Sequence, residues 1–277
     1  MRGAIWGQIG RAPVAVAGGV IVAAYLAAAA LAPALAPADP LGMEPHALLA
    51  APGGGHPFGT DQFGRDVLSR LLYGARTSLA VSFASVALAV AGGGAAGILG
   101  GYYGGLVDGT IMRVMDVIFA FPAVLLAIAI MAIAGTAAGT IIAAIGLVYT
   151  PQFARVSRAS VLQTRGLEYV EAARAVGAGV RRILARHILP NISAPLIVQT
   201  SLSLSLAILT ESALSFLGLG TQPPTPSWGN MLADSRRFMV LAPWTAIFPG
   251  AAIALIVLGF NLLGDGLRDL LDPRLRL

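Results

Sequence analysis

Cysteine and lysine are both absent from this sequence of 277 residues. The lack of cysteine excludes disulfide frameworks, thiolate catalysis and cysteine-based zinc or iron–sulfur sites. The lack of lysine excludes the phosphate-binding loop of many nucleotide hydrolases, because that loop needs a lysine beside the phosphates. Charged residues make up 11% of the chain and hydrophobic residues 57%, whereas soluble domains contain about 25% and about 45–50%. We therefore exclude a water-soluble globular enzyme and a disordered chain.

Long stretches without Asp, Glu or Arg predict membrane-spanning helices, because a helix of about 20 apolar residues crosses the bilayer core. We predict an all-α integral membrane protein with six such helices. The first stretch is too long for the apolar region of a signal peptide, so we expect it to remain as an anchor. The predicted spans are 12–36, 77–103, 112–134, 138–155, 194–218 and 243–264.

The distribution of arginine predicts the orientation of these spans. With the N-terminus inside, 13 arginines fall in inside segments and 5 in outside segments. Positive charge accumulates on the cytoplasmic side, so we expect both termini in the cytoplasm. The chain then divides into an N-terminal segment with the first span (1–38), an extracytoplasmic segment with an interfacial helix from Asp66 to Tyr73 (39–76), and a core of five spans (77–277).

The segment 165–190, between the fourth and fifth spans, predicts a cytoplasmic helix–turn–helix elbow. Gly177 and Gly179 are expected to end a first short helix, and Pro190 a second. Small side chains on one face let another protein approach closely, so we expect a docking element rather than a solvated basic loop that only sets orientation. This face contains Val170, Ala173 and Gly177 at helical spacing.

Three separated motifs resemble those of binding-protein-dependent ATP-binding-cassette importer permeases. The first is similar to the cytoplasmic coupling motif of these permeases, and His187 stands where the general motif has isoleucine. The other two resemble the dipeptide, oligopeptide and nickel branch, in particular its C-type permease subunit. The motifs are Glu171-Ala172-Ala173-x-x-x-Gly177 with His187-Ile188-Leu189-Pro190, the segment 56–79 with His56-Pro57-Phe58-Gly59-Thr60-Asp61, and Glu211-Ser212-Ala213-Leu214-Ser215-Phe216-Leu217-Gly218-Leu219-Gly220.

This resemblance implies a transport subunit of the bacterial inner membrane with no catalytic residue and no cofactor of its own. Its implied partners are a second homologous permease, two cytoplasmic ATPases that hold ATP and magnesium, and an extracytoplasmic peptide-binding protein. The bilayer surrounds it, and no nucleic acid is expected. Dipeptides or oligopeptides would pass between the two permeases. The residues implied in coupling to the ATPase are Glu168, Glu171, Ala172, Ala173, Gly177, His187 and Pro190.

Other functions stay open at this point. An importer of nickel or another small solute would share the same motifs. A stand-alone secondary carrier would need several ionisable groups within its spans. A membrane signalling or assembly subunit would explain the elbow but not the outer segment.

Glu211 is the one acid deep within a predicted span. An ionisable group in the membrane is costly and marks a functional-site hypothesis. We expect it either to line the transport route or to pair with an arginine of the partner permease. Ser201, Ser205 and Ser212 fall near the same face, where they line the route or form interhelical hydrogen bonds.

Four glycines in the second span form a stripe at every fourth residue, which predicts close helix packing. Asp108 and Asp116 are expected to pair with arginines rather than to bind a metal. The stripe contains Gly93, Gly97, Gly101 and Gly105.

The outer segment contains His46, His56, Asp61 and Asp66, but their irregular spacing argues against a metal site. We expect the two aspartates to bind nearby arginines and backbone N–H groups. In the outer loop and beside it, Trp228 and Trp244 suit the membrane–water interface.

Overall fold

A computed structural model of the protein describes residues 13–271. The regular structure in this part of the chain is helical, and its extended backbone is limited to two isolated bridges. The all-α prediction is therefore confirmed. The elements are α1 (Pro13–Ala30), α2 (Ala32–Leu35), α3 (Val67–Tyr103), α4 (Gly105–Phe119), α5 (Ala123–Ala134), α6 (Ala138–Thr164), α7 (Glu168–Ala175), α8 (Val180–Ile183), a π-helical turn (Leu184–Ile188), α9 (Leu189–Phe216), α10 (Trp228–Ser235) and α11 (Trp244–Leu271).

Four helical stretches of the described part are long and apolar enough to cross a membrane, and a bent pair raises the number to five. The predicted fourth span, 138–155, lies within α6, which is not among them. Pro151 and Gln152 lower the apolar character of that helix. The prediction of six spans is therefore not confirmed. The four stretches are Pro13–Ala30, Val67–Tyr103, Val180–Phe216 and Trp244–Leu271.

The predicted interfacial helix from Asp66 to Tyr73 is not a separate element. It forms the first two turns of α3, a 37-residue helix that is about 55 Å long. The division of the chain at residues 76 and 77 therefore falls inside one helix. The boundary was placed at Arg76 because the apolar stretch begins after this charge, but an exposed charge does not end a helix.

The predicted third span, 112–134, is broken. Helices α4 and α5 meet at 89°, and the break lies beside Pro122. Proline lacks the backbone N–H that a continuous helix needs, and its ring clashes with the preceding turn. The sequence therefore contained the signal for this break.

Close packing of α3 against α6 forms the centre of the bundle. A Cβ atom added at Gly93 would lie 2.2 Å from the Thr150 carbonyl oxygen, and one at Gly97 would lie 2.2 Å from that of Ala154. The predicted role of the stripe is confirmed for Gly93, Gly97 and Gly101. Gly105 instead begins α4 with a φ of +54° and open space around it.

The terminal helices α1 and α11 lie side by side. A Cβ atom at Gly18 would lie 2.4 Å from the backbone nitrogen of Leu263, so these two backbones are in direct contact. Both predicted cytoplasmic termini, together with residue 12 of the first predicted span, lie outside the described residues.

The segment 36–66 is held at the start of α3, whereas the elbow lies beside its end. Trp244 Nε1 donates to the Thr60 carbonyl oxygen at 3.1 Å, and Arg165 Nη1 donates to the Gly101 carbonyl oxygen at 2.8 Å. The two features that sequence analysis singled out, the outer segment and the elbow, are therefore at opposite ends of one long helix.

Candidate coupling elbow and buried carboxyl site

Glycine at position 177 forms the turn of the elbow. Its φ of +80° lies in the left-handed region. The Gly177 N–H donates to the Arg174 carbonyl, and the Ala178 N–H donates to the Ala173 carbonyl, both at 3.0 Å. These two bonds are those of a Schellman motif, which ends a helix with a glycine. The predicted end of the first short helix at Gly177 is confirmed.

The elbow has its own small apolar core. Val170, Ile183 and Ile188 are almost completely buried and pack against Val161 of α6 and Ile192 of α9. The prediction placed Val170 on the small-residue docking face. Its side chain instead faces inward, into the core of the elbow. This core joins the elbow to both long helices that flank it.

Pro190 does not end the second short helix. Helix α8 continues through the π-helical turn into α9, and the stretch Val180–Phe216 is one 37-residue unit. The wider π turn re-routes the backbone bonds just ahead of the proline, which then occupies the first turn of α9, where its missing N–H costs little. The predicted span 194–218 therefore starts at the elbow itself.

The outward side of α7 is acidic and contains small residues. Glu168, Glu171, Ala172 and Gly177 are exposed, and Val176 reaches 85% exposure. We call this set of five residues the elbow face. Within residues 13–271, the Glu171 carboxylate makes no hydrogen bond or ion pair. Its implied role in coupling to the ATPase stays a prediction.

Of the remaining coupling candidates, Pro190 is exposed, whereas Ala173 and His187 are less so. Ala173 is half-buried, and the half-buried His187 ring has its centroid 6.1 Å from that of Tyr169. The His187 carbonyl accepts a hydrogen bond from Asn191 Nδ2 at 2.6 Å. These side chains support the elbow from within, whereas the elbow face is open to a partner.

Two ion pairs join α4 to α6 near the elbow. Arg158 Nη2 lies 2.6 Å from Asp108 Oδ2, and its Nε bonds the other oxygen of the same carboxylate. Arg155 Nη2 lies 2.8 Å from Asp116 Oδ1. The expectation that both aspartates pair with arginines is confirmed. The two-pronged Asp108–Arg158 bond fixes direction as well as distance.

Glu211 is completely buried where α9, α3 and α10 meet. Its Oε1 accepts a hydrogen bond from Ser215 Oγ at 2.8 Å, and the Ser78 and Ser212 hydroxyls lie beside the same carboxyl group. Within residues 13–271 this side chain does not reach the surface of the chain. Its expected role in lining the route or pairing with an arginine of the partner permease stays a prediction. The sequence did not reveal that α10 folds back over it.

The serines predicted to line a route make contacts within the chain. Ser201 Oγ donates to the Phe260 carbonyl of α11 at 2.8 Å, and Ser205 Oγ lies 3.1 Å from Asn261 Oδ1. Ser212 is buried against α10. The interhelical alternative therefore describes Ser201 and Ser205, and a route-lining role for these serines stays a prediction.

The end of the bundle that holds the segment 36–66, called the outer end after its predicted position, contains a buried ionic cluster. Arg65 Nε lies 2.6 Å from Asp61 Oδ2, and Arg70 Nε lies 3.4 Å from the same oxygen. Asp234 of α10 completes the cluster from a more exposed position, 3.4 Å from Arg65 Nη2. Asp66 Oδ2 accepts from the Ser69 N–H at 2.7 Å and caps α3. The expected roles of Asp61 and Asp66 are confirmed.

Removing Asp61 is expected to destabilise the outer end strongly. The Asp61→Ala variant leaves two buried guanidinium groups without their shared anion, which typically costs about 3–5 kcal/mol. Asp234→Ala is the matched control, because its carboxylate is 42% exposed and such pairs are worth about 0–1 kcal/mol. Thermal unfolding in detergent, followed by tryptophan fluorescence, measures both. Equal losses of stability in the two variants would contradict the larger contribution assigned to Asp61.

Sequence analysis missed two further features. Trp228, which was expected to face the membrane–water interface, is instead buried within the protein, where its Nε1 donates to the Leu71 carbonyl at 3.1 Å. Gln152 and Gln199 form a polar pair between α6 and α9, with Nε2 to Oε1 at 3.1 Å. The signal for the second feature was present, because the two glutamines stand within predicted membrane-spanning helices. Within residues 13–271, no group of three His, Asp or Glu side chains forms a metal site.

Comparison with known protein families identifies the family to which this chain belongs. A family model described as "Binding-protein-dependent transport system inner membrane component" matches residues 93–277. The chain belongs to this family. The matched region contains the elbow, the Glu211 site and α6 to α11, so the features described above are those of a transport component and not of an enzyme.

Individual members of the family resemble the chain over nearly its whole length. The dipeptide transport system permease protein DppC of Alkalihalophilus pseudofirmus is 46% identical over 97% of the chain and 88% of that protein. The glutathione transport system permease protein GsiD of Pectobacterium atrosepticum is 46% identical over 98% of the chain and 90% of that protein. The di/tripeptide transport system permease protein DppC of Pseudomonas aeruginosa is 46% identical over 90% of the chain and 84% of that protein.

Proposed function

We propose that this chain is a permease subunit of an ATP-driven importer for dipeptides or short oligopeptides. The observation that carries the proposal is that α8 of the elbow continues into α9, so that Val180–Phe216 is a single helical stretch. An exposed docking face at one end of a membrane-length helix is what an importer needs to convert work done on one side of the membrane into movement within it. The names of the similar proteins support peptides, including the tripeptide glutathione, as the solute class.

The proposed assembly contains a second homologous permease, two cytoplasmic ATPases and an extracytoplasmic peptide-binding protein. ATP and magnesium would bind to the ATPases, since this chain contains no lysine for a phosphate-binding loop. The excess of arginine on the elbow side supports a position in the bacterial cytoplasmic membrane with the elbow and both termini in the cytoplasm. We further propose six spans, in which α6 crosses the membrane inside the bundle, shielded by its neighbours.

The proposed mechanism begins at the elbow face. Closure of the ATPase dimer would push on Glu168, Glu171 and Ala172, and the small core around Val170 would pass the movement to α6 and α9. Helices are stiff on this scale, so a tilt at Val180 reaches Phe216 about 55 Å away. Alternating access follows if the inward-open and outward-open arrangements differ in their elbow contacts.

Uptake by the reconstituted assembly tests this function. Proteoliposomes that contain both permeases, the ATPases and the binding protein are supplied with labelled dipeptide, tripeptide, pentapeptide, glutathione or nickel. We expect ATP-dependent uptake of one or more peptides, together with peptide-stimulated ATP hydrolysis. Uptake of nickel alone would replace the peptide assignment with the metal alternative. Transport by the purified chain without ATPases would show a secondary carrier instead.

A further inference from the structure

The Glu211 side chain is a buried acid without a cationic partner. It is 0% exposed, and no ion pair within residues 13–271 includes it. Its contacts are the hydroxyl groups of Ser78, Ser212 and Ser215. A carboxylate buried without a cation or several N–H donors is strongly disfavoured, so the neutral acid is the form that fits this site.

A proton on the Glu211 carboxyl group would supply this site with an additional hydrogen-bond donor. Oε1 already accepts from Ser215 Oγ, whereas Oε2 and Ser212 Oγ are both buried and have no partner. A neutral carboxyl group carries one O–H donor. A proton on Oε2 would turn this unpartnered oxygen into a donor toward the hydroxyl groups beside it.

The cluster joins α9 to the structure that covers it. Ser215 Oγ also accepts from the Thr221 N–H at 3.2 Å, and Ser78 Oγ accepts from the Trp228 N–H at 3.3 Å. A Cβ atom at Gly229 would lie 2.4 Å from the Ser212 carbonyl oxygen, so α10 lies directly on α9. We call residues 217–235, which contain α10, the cover.

We propose that Glu211 is a neutral positioning residue that fastens the cover to α9, so that the cover moves with the elbow at the other end of the same helix. The inference rests on the proposed transport function for its consequence, but the fastening itself is a property of the fold. Glutamine has nearly the shape of a neutral glutamic acid and, like it, carries a carbonyl acceptor on one arm and a donor on the other. The Glu211→Gln variant therefore distinguishes this proposal from any role of Glu211 that needs a negative charge.

The first test compares Glu211→Gln, Glu211→Ala and Ser215→Ala in the reconstituted assembly. Thr200→Ala is the control, because this hydroxyl donates within its own helix, to the Leu196 carbonyl. We expect Glu211→Gln and Thr200→Ala to stay within about twofold of the parent in peptide uptake per ATP hydrolysed. Glu211→Ala and Ser215→Ala are expected to lose at least about tenfold. Loss in Glu211→Gln equal to that in Glu211→Ala would show that a charge is required and would overturn the proposal.

A second test reads the position of the cover without transport. The chain contains no cysteine, so Met231→Cys, at a site on α10 that is 5% exposed, is a unique thiol. Its rate of reaction with maleimide is expected to rise at least about tenfold with Glu211→Ala or Ser215→Ala, and to stay unchanged with Glu211→Gln. Unchanged labelling in the Ser215→Ala and Glu211→Ala backgrounds would overturn the fastening role. If Glu211→Ala does not assemble, Ser215→Ala and Glu211→Gln decide.

These readouts distinguish a failure of the proposed transport function from a failure of the proposed fastening of the cover. An assembly that imports no peptide, with labelling as expected, contradicts the proposed function and leaves the fastening intact. Peptide import with labelling that ignores the state of Glu211 contradicts the fastening alone.

Discussion

Replacement of Gly97 by alanine is expected to reduce folded protein severely, although alanine is normally the better helix former. The added Cβ atom would lie 2.2 Å from the Ala154 carbonyl oxygen and 2.7 Å from Ser157 Cβ. The backbone of α6 cannot rotate away as a side chain does, so the two helices must separate. Overpacking typically costs about 1–3 kcal/mol, and we expect this backbone contact to lie at or above the upper end.

Gly92→Ala is the matched control on the same helix. The atom nearest to its added Cβ would be Thr150 Oγ1 at 3.9 Å, an ordinary contact. No steric clash opposes the gain in helix propensity, about 0.5–1 kcal/mol, so we expect Gly92→Ala to be at least as stable as the parent. Detergent-solubilised yield and thermal unfolding measure both variants. Similar stability of Gly97→Ala and Gly92→Ala would show that α3 and α6 are not in backbone contact.

Valine at position 177 is expected to abolish coupled transport while the chain still inserts and assembles. Gly177 has a φ of +80°, and a β-branched residue in that region costs about 1–3 kcal/mol. No atom lies within 4 Å of the added Cβ, so the effect is on the backbone of the turn and not on packing. The Schellman bonds would break, and α7 would take a new direction relative to α8.

Gly179→Val separates conformation from bulk. Position 179 is two residues away and has equally open space around it, but its φ of −65° is one that valine adopts freely. We expect at least about tenfold loss of peptide uptake for Gly177→Val and near-parental uptake for Gly179→Val. Asparagine, which tolerates the left-handed region better, should retain part of the activity at position 177. Equal loss in the two valine variants would point to bulk on a docking surface rather than to the geometry of the turn.

The parts of the fold that depend on local chemistry were predictable. The glycine stripe, the left-handed Gly177 and the pairing of Asp61 with Arg65 all follow from residue type and spacing. Family resemblance added the solute class and the expected partners, which no residue of this chain displays by itself.

Two of the failures have a common physical cause. Arg76 was taken as the end of a segment and Pro190 as the end of a helix, although neither rule accounts for the surroundings. Arg76 is exposed on the side of a continuous helix, and Pro190 is accommodated by a π-helical turn. The environment of Glu211 depends on how α10 folds back onto α9, a long-range contact that leaves no periodic pattern in the sequence.

Cross-linking at the elbow face shows whether this surface docks on the ATPase. In this cysteine-free chain, Ala172→Cys places a unique thiol beside Glu171, in an exposed position on α7. The account predicts that this thiol forms a cross-link to the ATPase in the assembled importer. It also predicts that a membrane-impermeant maleimide labels the free thiol only after the cytoplasmic side is opened. Labelling from the outside of intact cells, or no cross-link in an active assembly, would contradict it.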